Sequence, residues 1–459
     1  MRITVIGTGY LGATHAACMA ELGFEVLGLD VDPLRVAQLS QGKLPFHEPG
    51  LPELLRKHVN SGRLRFTSSY QEVGAWGDVH FISVGTPQRA VDGGADMSFV
   101  KSAATSLARN ITKDALIVGK STVPVGTTRQ LREIIRDNKR PNVSVNIAWN
   151  PEFLREGFAV ADTITPDRLV IGVESSEHEE VLRAVYATAI AGGVPLIATD
   201  FETAELVKVA ANAFLATKIS FINAFSEVTE VAGGDIRILA DAIGLDARIG
   251  RSFLNAGVGF GGGCLPKDIR AVQVRAGELG LERSMGFLRE IDQINLRRRA
   301  RVVRLSRAML GSLSQRKIAI LGVTFKPDSD DVRDSPALDI AKKLFDEGAE
   351  VSVYDPAGNA NAFNRFPQLN YMGSVRDAVK DAELILVLTE WDEFKALSPD
   401  VLAAQTSSRK IIDGRNILDF SMWEASGWSV GSLGRRWWPN TVVSRQTVSQ
   451  LELSSGPAS

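Results

Sequence analysis

An apolar run at Arg2–Ile6 breaks into the turn Gly7-Thr-Gly9-Tyr-Leu-Gly12, and the next apolar run ends at Asp30. Strand, glycine turn, helix and strand in that order leave a chain few options, because parallel strands joined through a helix lie in one sheet. With 41 glycines in 459 residues, three at fixed spacing arise by chance about 0.3 times per chain, so context decides. Here the context agrees on every side. Gly7 allows the tight turn, Gly9 lets the backbone approach a pyrophosphate, and Gly12 lets helix and strand pack closely. The helix start adds N–H groups and positive partial charge for phosphates. Asp30 is placed to accept hydrogen bonds from a ribose diol and to repel a 2′-phosphate, which favours NAD over NADP. Arg35 works against that preference.

The alternation continues. Residues 10–22 read as a helix, Glu25–Leu29 as a strand, and 79–84, Ala115–Gly119 and 143–148 as further strands separated by helix-length segments. That spacing predicts an α/β fold with a parallel sheet covered by helices on both faces. Residues 202–231 then run without proline, with apolar residues at helical spacing, and predict a spine helix of about 45 Å that stops at Gly233-Gly234. Lys317–Leu321 opens a second β–α–β run. Glu347-Gly-Ala-Glu-Val-Ser-Val-Tyr-Asp-Pro356 repeats the helix end, glycine, strand and Asp-Pro turn of Glu21-Leu-Gly-Phe-Glu-Val-Leu-Gly-Leu-Asp-Val-Asp-Pro33. Duplication and the general likeness of β–α–β units explain this equally well. In the second run Gly322-Val-Thr-Phe-Lys326-Pro327 replaces the glycine pattern with bulk, so a dinucleotide is not expected there. Lys326, Arg333 and Arg415 could still hold a nucleotide. The expected architecture is two doubly wound Rossmann-like lobes joined by a long central helix and a helical middle domain. The bounds are 1–199, 200–312 and 313–434, with a flexible tail at 435–459.

Composition removes other classes. Lys plus Arg is 52 and Asp plus Glu is 54, a net charge of −2, without the basic excess of a general nucleic-acid binder. With hydrophobic residues at 44% the chain can bury a full core, so disorder is excluded. No apolar stretch is long enough for a membrane span and no secretory signal opens the chain, so a cytoplasmic protein without a membrane partner is expected. Two cysteines, Cys18 and Cys264, make neither a disulfide framework nor a Cys-rich zinc site, and the five histidines form no metal-binding pair. No metal is expected.

Cys18 falls on the first helix and reads as core. Cys264 lies in Gly257-Val-Gly-Phe-Gly-Gly-Gly-Cys264-Leu-Pro-Lys267-Asp268, where five glycines in seven residues let backbone wrap a ligand. A helix expected after Pro266, with Lys267 close by, favours the thiolate. A nucleophilic cysteine beside NAD suggests oxidation to the acid level: thiolate adds to an aldehyde, the thiohemiacetal gives up hydride, and water releases the thioester. Asn150-Pro-Glu152-Phe-Leu-Arg155-Glu156-Gly157 supplies two carboxylates that share a face if the segment is helical, and Lys208 and Asn212 stand one turn apart on the spine.

With these segments in view, the chain resembles the UDP-glucose/GDP-mannose dehydrogenase family over about residues 1–430. The likeness is carried by the glycine turn, Gly119-Lys-Ser-Thr-Val-Pro-Val-Gly126, residues 150–157, Lys208-Val-Ala-Ala-Asn212, residues 259–268, and Phe325-Lys-Pro327 with Asp331-Val-Arg-Asp-Ser-Pro336. It implies a four-electron oxidation of a sugar C6 alcohol by two NAD. Carried over by position, Cys264 is the nucleophile, and Lys208 stabilises the alkoxide and later oxyanion. Thr122 and Asp268 hold a water that relays protons, and Glu152 is the base for thioester hydrolysis. Gly7, Gly9, Tyr10, Leu11, Gly12, Asp30, Arg35, Thr86, Ser121, Thr122, Glu156 and Arg333 fall at cofactor positions. Glu152, Phe153, Leu154, Arg155, Glu156, Lys208, Asn212, Asn255, Gly259, Phe260, Gly261, Phe325, Lys326 and Arg415 fall at nucleotide-sugar positions. Arg248 matches an arginine that reaches the neighbouring subunit's substrate, which implies a homodimer with a shared active site. The residue after the cysteine is Leu265, where the UDP-glucose branch often carries Phe and the GDP-mannose branch Leu, while Glu-Phe-Leu-Arg-Glu-Gly and Lys-Val-Ala-Ala-Asn look more like the UDP-glucose branch. The same chemistry on GDP-mannose or a UDP-N-acetylhexosamine is the alternative. A two-electron hydroxyacid dehydrogenase needs neither the cysteine nor the second lobe. A non-catalytic nucleotide sensor should have lost some of Cys264, Lys208, Thr122 or Asp268.

Overall fold

The computed structural model describes residues 1–435 of the chain; of the expected tail, all but Arg435 lies outside the described residues. The chain divides into two compact units. The first comprises Met1–Lys218, Phe260–Gln293 and Thr324–Ser335, and the second Ile219–Gly259, Ile294–Val323 and the described residues from Pro336 to Arg435.

The first unit is built on eight strands: β1 (Arg2–Ile6), β2 (Glu25–Leu29), β3 (Leu64–Thr67), β4 (Val79–Ile82), β5 (Ala115–Gly119), β6 (Val145–Trp149), β7 (Leu169–Gly172) and β8 (Leu196–Thr199). Their order is β3-β2-β1-β4-β5-β6-β7-β8, parallel except where β6 meets β7 at Trp149 and Gly172. Side chains of a strand alternate faces, and β1 shows the consequence. Ile3 and Val5 join a core closed by Ala13, Ala16, Ala17 and Ala20 of the first helix, Tyr10–Glu21. Ile6 joins a separate core with Leu107, Leu131 and Ile135 of the helices Ser98–Asn110 and Thr127–Asn138. Helices therefore cover both faces, and β1, β2, β5 and the first helix lie where the hydrophobic pattern predicts them. Cys18 is fully buried in that first helix.

The spine helix Phe201–Ala232 contains neither glycine nor proline and is about 48 Å long. It begins in the first unit and ends in the second, where Gly233 (φ +83°) takes the left-handed conformation and its N–H bonds the Thr229 carbonyl at 2.9 Å. Among the described residues no helix is long and apolar enough to cross a membrane.

The second unit carries a six-stranded, all-parallel sheet: β9 (Lys317–Leu321), β10 (Glu350–Tyr354), β11 (Asn370–Tyr371), β12 (Leu384–Val387), β13 (Lys410–Asp413) and β14 (Ser429–Ser432), ordered β11-β10-β9-β12-β13-β14. Register corrects the internal alignment read from the sequence. Ile6 pairs with Leu29 and Leu321 pairs with Tyr354, so Asp355 takes the place of Asp30 and not of Asp32, the first Asp-Pro aspartate. The two Asp-Pro turns differ in kind. Asp32 caps the helix Pro33–Ser40 by accepting the Leu34 N–H at 2.9 Å, whereas Asp355 directly follows its strand.

Candidate active site

The glycine turn of the first unit has the shape its sequence predicts. Gly7 sits at φ +87°, and a side chain on Gly12 would place its Cβ 1.8 Å from the Gly7 carbonyl oxygen. A Cβ on Gly9 would meet nothing within 4 Å, so the cap of the first helix opens onto space. That cradle, at a helix start with no acidic residue in its first turn, fits a dinucleotide phosphate. Asp30 is buried and accepts the Thr8 N–H at 2.8 Å, the Asp32 N–H at 3.1 Å and the Arg35 guanidinium at 3.1 Å. Burial works to raise its carboxyl, but those backbone N–H groups and Arg35 outweigh it and hold the group below the usual range. Asp30 is thus an ionised acceptor at the end of β2. The Ser121 hydroxyl donates to the Val84 carbonyl at 2.7 Å, and the Thr86 hydroxyl donates to the Thr122 carbonyl at 2.9 Å, pinning the two loops that flank the turn.

Around Cys264 the first unit gathers Lys208, Asn212, Asp268 and Glu152. The helix behind the cysteine runs Leu265–Glu278, so it starts one residue before Pro266 rather than after it, and Cys264 is its cap. Proline fits there because an amide in the first turn has no intrahelical acceptor. The glycines before the cysteine have steric reasons. A Cβ on Gly262 would meet the Phe325 ring at 3.0 Å, and one on Gly263 would lie 2.4 Å from the Arg333 guanidinium. Buried Asp268 receives the Asn212 side-chain amide at 2.6 Å and the Lys267 ammonium at 2.6 Å. Lys208 is buried with its ammonium 3.3 Å from Glu152 and over the Phe153 ring. Burial pulls the Lys208 ammonium down, but Glu152, Cys264 and Asp268 together outweigh it and raise it above the ordinary lysine value. Lys208 and Asn212 therefore share one helix face turned to a shielded site.

The thiol itself departs from expectation. Cys264 is accessible to solvent, yet protein atoms crowd around it, and that desolvation pushes the thiol up to about 11. Lys208 pulls it down, while Asp268, Glu152 and Glu156 push it further up. Lys267, expected to favour the thiolate, is instead paired with Asp268. Cys18 is pushed up to about 12 by burial.

The two carboxylates of residues 150–157 do not share a helical face. The segment is irregular between Pro151 and Gly157 (φ +82°), and Glu152 folds back to accept the Leu154 N–H at 2.6 Å. Glu152 thereby turns to Lys208. Glu156 turns to residues 324–335, accepting Ser329 at 3.1 Å and Arg333 at 3.3 Å, while Lys326 donates to its backbone carbonyl. Burial, reinforced by Asp331, pushes the Glu156 carboxyl up to about 7 against the pull of Arg333 and Lys326. Arg155 is held by Asp162 in a two-pronged pair at 2.9 and 2.7 Å. Phe260 and Gly261 are buried in the first unit. Gly259, Asn255, Arg248 and Arg415 belong to the second. There Arg415 donates to the Gly259 carbonyl at 3.1 Å and the Leu388 carbonyl at 2.8 Å, Asn255 accepts from Arg251 at 2.8 Å, and Arg248 projects outward with Asp246 as its partner.

Two buried carboxylates escaped the sequence reading. Glu205, one turn before Lys208, accepts the Gly126 and Thr128 N–H groups, each at 2.6 Å, and so caps the helix that follows Thr122. Glu48 accepts the N–H groups of Gly157 and Ala159, each at 2.7 Å, and the Tyr10 hydroxyl. The one available signal for Glu205 is its spacing from Lys208 on the spine; Glu48, just before Pro49-Gly50, offers none beyond its charge.

A dinucleotide lobe, a spine with a buried lysine and an accessible cysteine at a helix cap together define a nucleotide-linked dehydrogenase. Profiles of the UDP-glucose/GDP-mannose dehydrogenase family match the chain as its NAD binding domain at residues 1–190, its central domain at 202–297 and its UDP binding domain at 319–420. A UDP-glucose 6-dehydrogenase of Rhizobium meliloti (strain 1021) is 41% identical over 95% of this chain and 100% of its own. The solved structure of a UDP-glucose dehydrogenase from Pyrobaculum islandicum superposes with a TM-score of 0.87 at 35% identity, covering 95% of this chain and 98% of that one. That of a UDP-D-ManNAc dehydrogenase from Pyrococcus horikoshii does so with 0.83 at 26%, over 95% and 99%. The chain belongs to the UDP-glucose/GDP-mannose dehydrogenase family. It is an NAD-dependent oxidoreductase that takes a nucleotide sugar.

Proposed function

We propose that the chain oxidises UDP-glucose to UDP-glucuronate through a thioester on Cys264. The observation that carries this reading is the grouping of a protonated, buried Lys208 with Glu152, Asn212 and Asp268 about an accessible thiol. When bound, NAD supplies the hydride acceptor, one molecule for each two-electron step. Lys208 offers a fixed positive charge where an alkoxide, then a hemithioacetal oxygen, develops, which is where such a charge lowers a barrier most. Asn212 and Lys267 fix Asp268 so that, with the Thr122 hydroxyl, it can hold a water for proton transfer. Loss of the C6 hydroxyl proton to that relay and of a first hydride gives the aldehyde. The Cys264 sulfur then adds to its carbon, and the thiol proton leaves to the relay. Loss of hydride from the adduct makes the thioester. Water, activated by Glu152, then breaks the C–S bond, releasing carboxylate and thiol.

The higher identity to UDP-glucose enzymes than to the UDP-D-ManNAc enzyme supports UDP-glucose as the sugar nucleotide. Leu265 favours GDP-mannose in the second reading, the same chemistry on GDP-mannose or a UDP-N-acetylhexosamine. The family profiles support the three domains at 1–199, 200–312 and 313–434. A homodimer is supported by Phe214, Phe221, Phe225 and Val228, which are exposed on one stripe of the spine, and by exposed Ile238, Leu245 and Ile249 beside outward-pointing Arg248. A cytoplasmic location fits the reaction's soluble reactants.

The test is a stoichiometry. Purified chain with UDP-glucose should release two NADH per sugar, and Cys264→Ser should lose acid formation by more than about a thousandfold while NAD and UDP binding persist. A Cys264→Ser enzyme that still yields two NADH per sugar sinks the covalent route. Preference for another nucleotide sugar moves the reading to the alternative.

A further inference from the structure

Glu48 lies outside every segment that the reaction uses, yet only 2% of its surface is exposed. A buried carboxylate is costly unless its lone pairs are met, and among the described residues no cation forms an ion pair with it. What meets it instead is a set of three donors from two functional segments. One oxygen accepts the Ala159 N–H at 2.7 Å, and the other accepts the Gly157 N–H at 2.7 Å together with the Tyr10 hydroxyl. Tyr10 is the first helical residue of the glycine turn, between Gly9 and Gly12, and its ring packs on Phe46 at 4.9 Å, two residues before Glu48. Gly157 and Ala159 end the irregular segment that carries Glu152 and Glu156.

We propose that Glu48 is a positioning residue that ties the glycine turn to the acidic loop, so that the dinucleotide cradle and the carboxylates of Glu152 and Glu156 hold one shared geometry. Hydrogen bonds to a charged acceptor are stronger than those to a neutral one, and here all three converge on a single carboxylate. Burial and the neighbouring Glu48 charge keep the Tyr10 phenol protonated, so it remains a donor throughout the working range. The segment has no helix or strand of its own to hold it: Gly157 is left-handed and Pro151 removes an amide at the other end. Without Glu48 the Ala159 amide loses its acceptor and the Gly157 amide keeps only the Tyr10 hydroxyl, at 3.3 Å. A reaction that exchanges its cofactor once per sugar needs the loop to stay in register while the cradle empties and refills.

Glu48→Gln keeps the shape but places an NH2 where one of the donors now points. We expect its Kd for NAD, measured by calorimetry on the full chain without sugar, to rise about tenfold, and kcat to fall by a similar factor. Kd for UDP should rise less than that for NAD, because only the loop, and not the glycine cradle, falls at nucleotide-sugar positions. Tyr10→Phe removes one donor to Glu48, and with it a long 3.3 Å contact from the Gly157 N–H, and should raise the NAD Kd about threefold. An NAD Kd within twofold of wild type in Glu48→Gln overturns the proposal, as do equal losses of NAD and UDP binding, which mark general loss of structure. If Glu48→Gln does not fold, an NAD Kd unchanged in Tyr10→Phe overturns it. The kcat arm rests on the UDP-glucose reading and the NAD arm does not, so a wild-type chain inactive on UDP-glucose sinks that reading alone.

Discussion

The two sheets start alike and part at the residue after the first turn. In each, the strand-end glycine is left-handed, Gly7 at φ +87° and Gly322 at φ +94°. In each, the next amide binds the aspartate that ends the neighbouring strand: Thr8 to Asp30 at 2.8 Å, and Val323 to Asp355 at 2.7 Å. Then the first lobe starts its helix at Tyr10, three residues on, with its amides facing open space. The second starts its helix only at Pro336, fourteen residues on, and the intervening Thr324–Ser335 folds as part of the first unit, where Lys326 and Arg333 meet Glu156. The shared portion is the geometry a parallel sheet requires to close a β–α–β turn. The segment after the turn decides whether the sheet's end holds a dinucleotide or lends a loop elsewhere.

The largest test of that contrast is Gly12→Ala. Its Cβ would sit 1.8 Å from the Gly7 carbonyl oxygen and 2.9 Å from the carbonyl carbon, backbone atoms with no rotamer to yield. NAD binding should fall more than about a hundredfold, measured by calorimetry, with UDP binding kept. Gly322→Ala is the counterpart. At φ +94°, with Thr389 2.4 Å from the new Cβ, it should lower the melting temperature and leave NAD binding intact. Loss of NAD binding in the second variant and not the first would reverse the assignment of the lobes.

The aspartates give a smaller, cleaner separation. Asp30→Asn removes the charge from an acceptor that sits beside the cradle and sets an amide donor against the Thr8 and Asp32 N–H groups, so it should raise the NAD Kd about tenfold and lower stability by about 1–2 kcal/mol. Asp355 is structural. Besides Val323 it accepts the Ala357 N–H at 3.0 Å, the Gly358 N–H at 2.7 Å and the Trp391 indole at 3.3 Å. Asp355→Asn sets an amide donor against those donors and should cost about 2 kcal/mol of stability in a denaturant titration, with NAD binding unchanged. Equal effects of both variants on NAD binding would mean the lobes are not differentiated as their contacts indicate.

Sequence reading succeeded where the signal was local. Arg2–Ile6, Glu25–Leu29, Ala115–Gly119 and Lys317–Leu321 are short apolar runs closed by a turn, and they are strands with those bounds. Leu196–Thr199 is half exposed and Asn370–Tyr371 is two residues long, so neither carries a periodicity to read. The Asp-Pro match misled because a proline that opens a helix and one that enters a turn look the same in the chain. At the site, helix end and Lys267 argued for an ionised Cys264, but burial and acids from residues 152, 156 and 268 drive its thiol up to about 11. Asp268 is local, four residues on, but Glu152 and Glu156 arrive by folding, and no spacing near Cys264 announces them. Glu48 is hidden for the same reason, since its amide partners lie 109 and 111 residues away.

The smallest effect separates the groups that each lobe sets beside its aspartate. Asp30 has Arg35, a cation whose side chain is 37% exposed and can move aside for a ribose. Asp355 has the indole of Trp391, 9% exposed and packed among Phe394, Phe420 and Trp423. An indole N–H in that setting cannot swing away without opening the core, which seals the position that stays adjustable in the first lobe. Trp391→Phe keeps an aromatic ring and removes the N–H, while the backbone donors to Asp355 stay in place. The lost bond to a charged acceptor is long at 3.3 Å, so the cost should be about 1 kcal/mol, a shift of a few degrees in the melting transition. NAD and UDP binding should both hold. A Trp391→Phe chain that weakens UDP binding tenfold at full stability would show that Trp391 serves the ligand and not the seal, and that the second lobe has a working site at the place where it lacks the glycine turn.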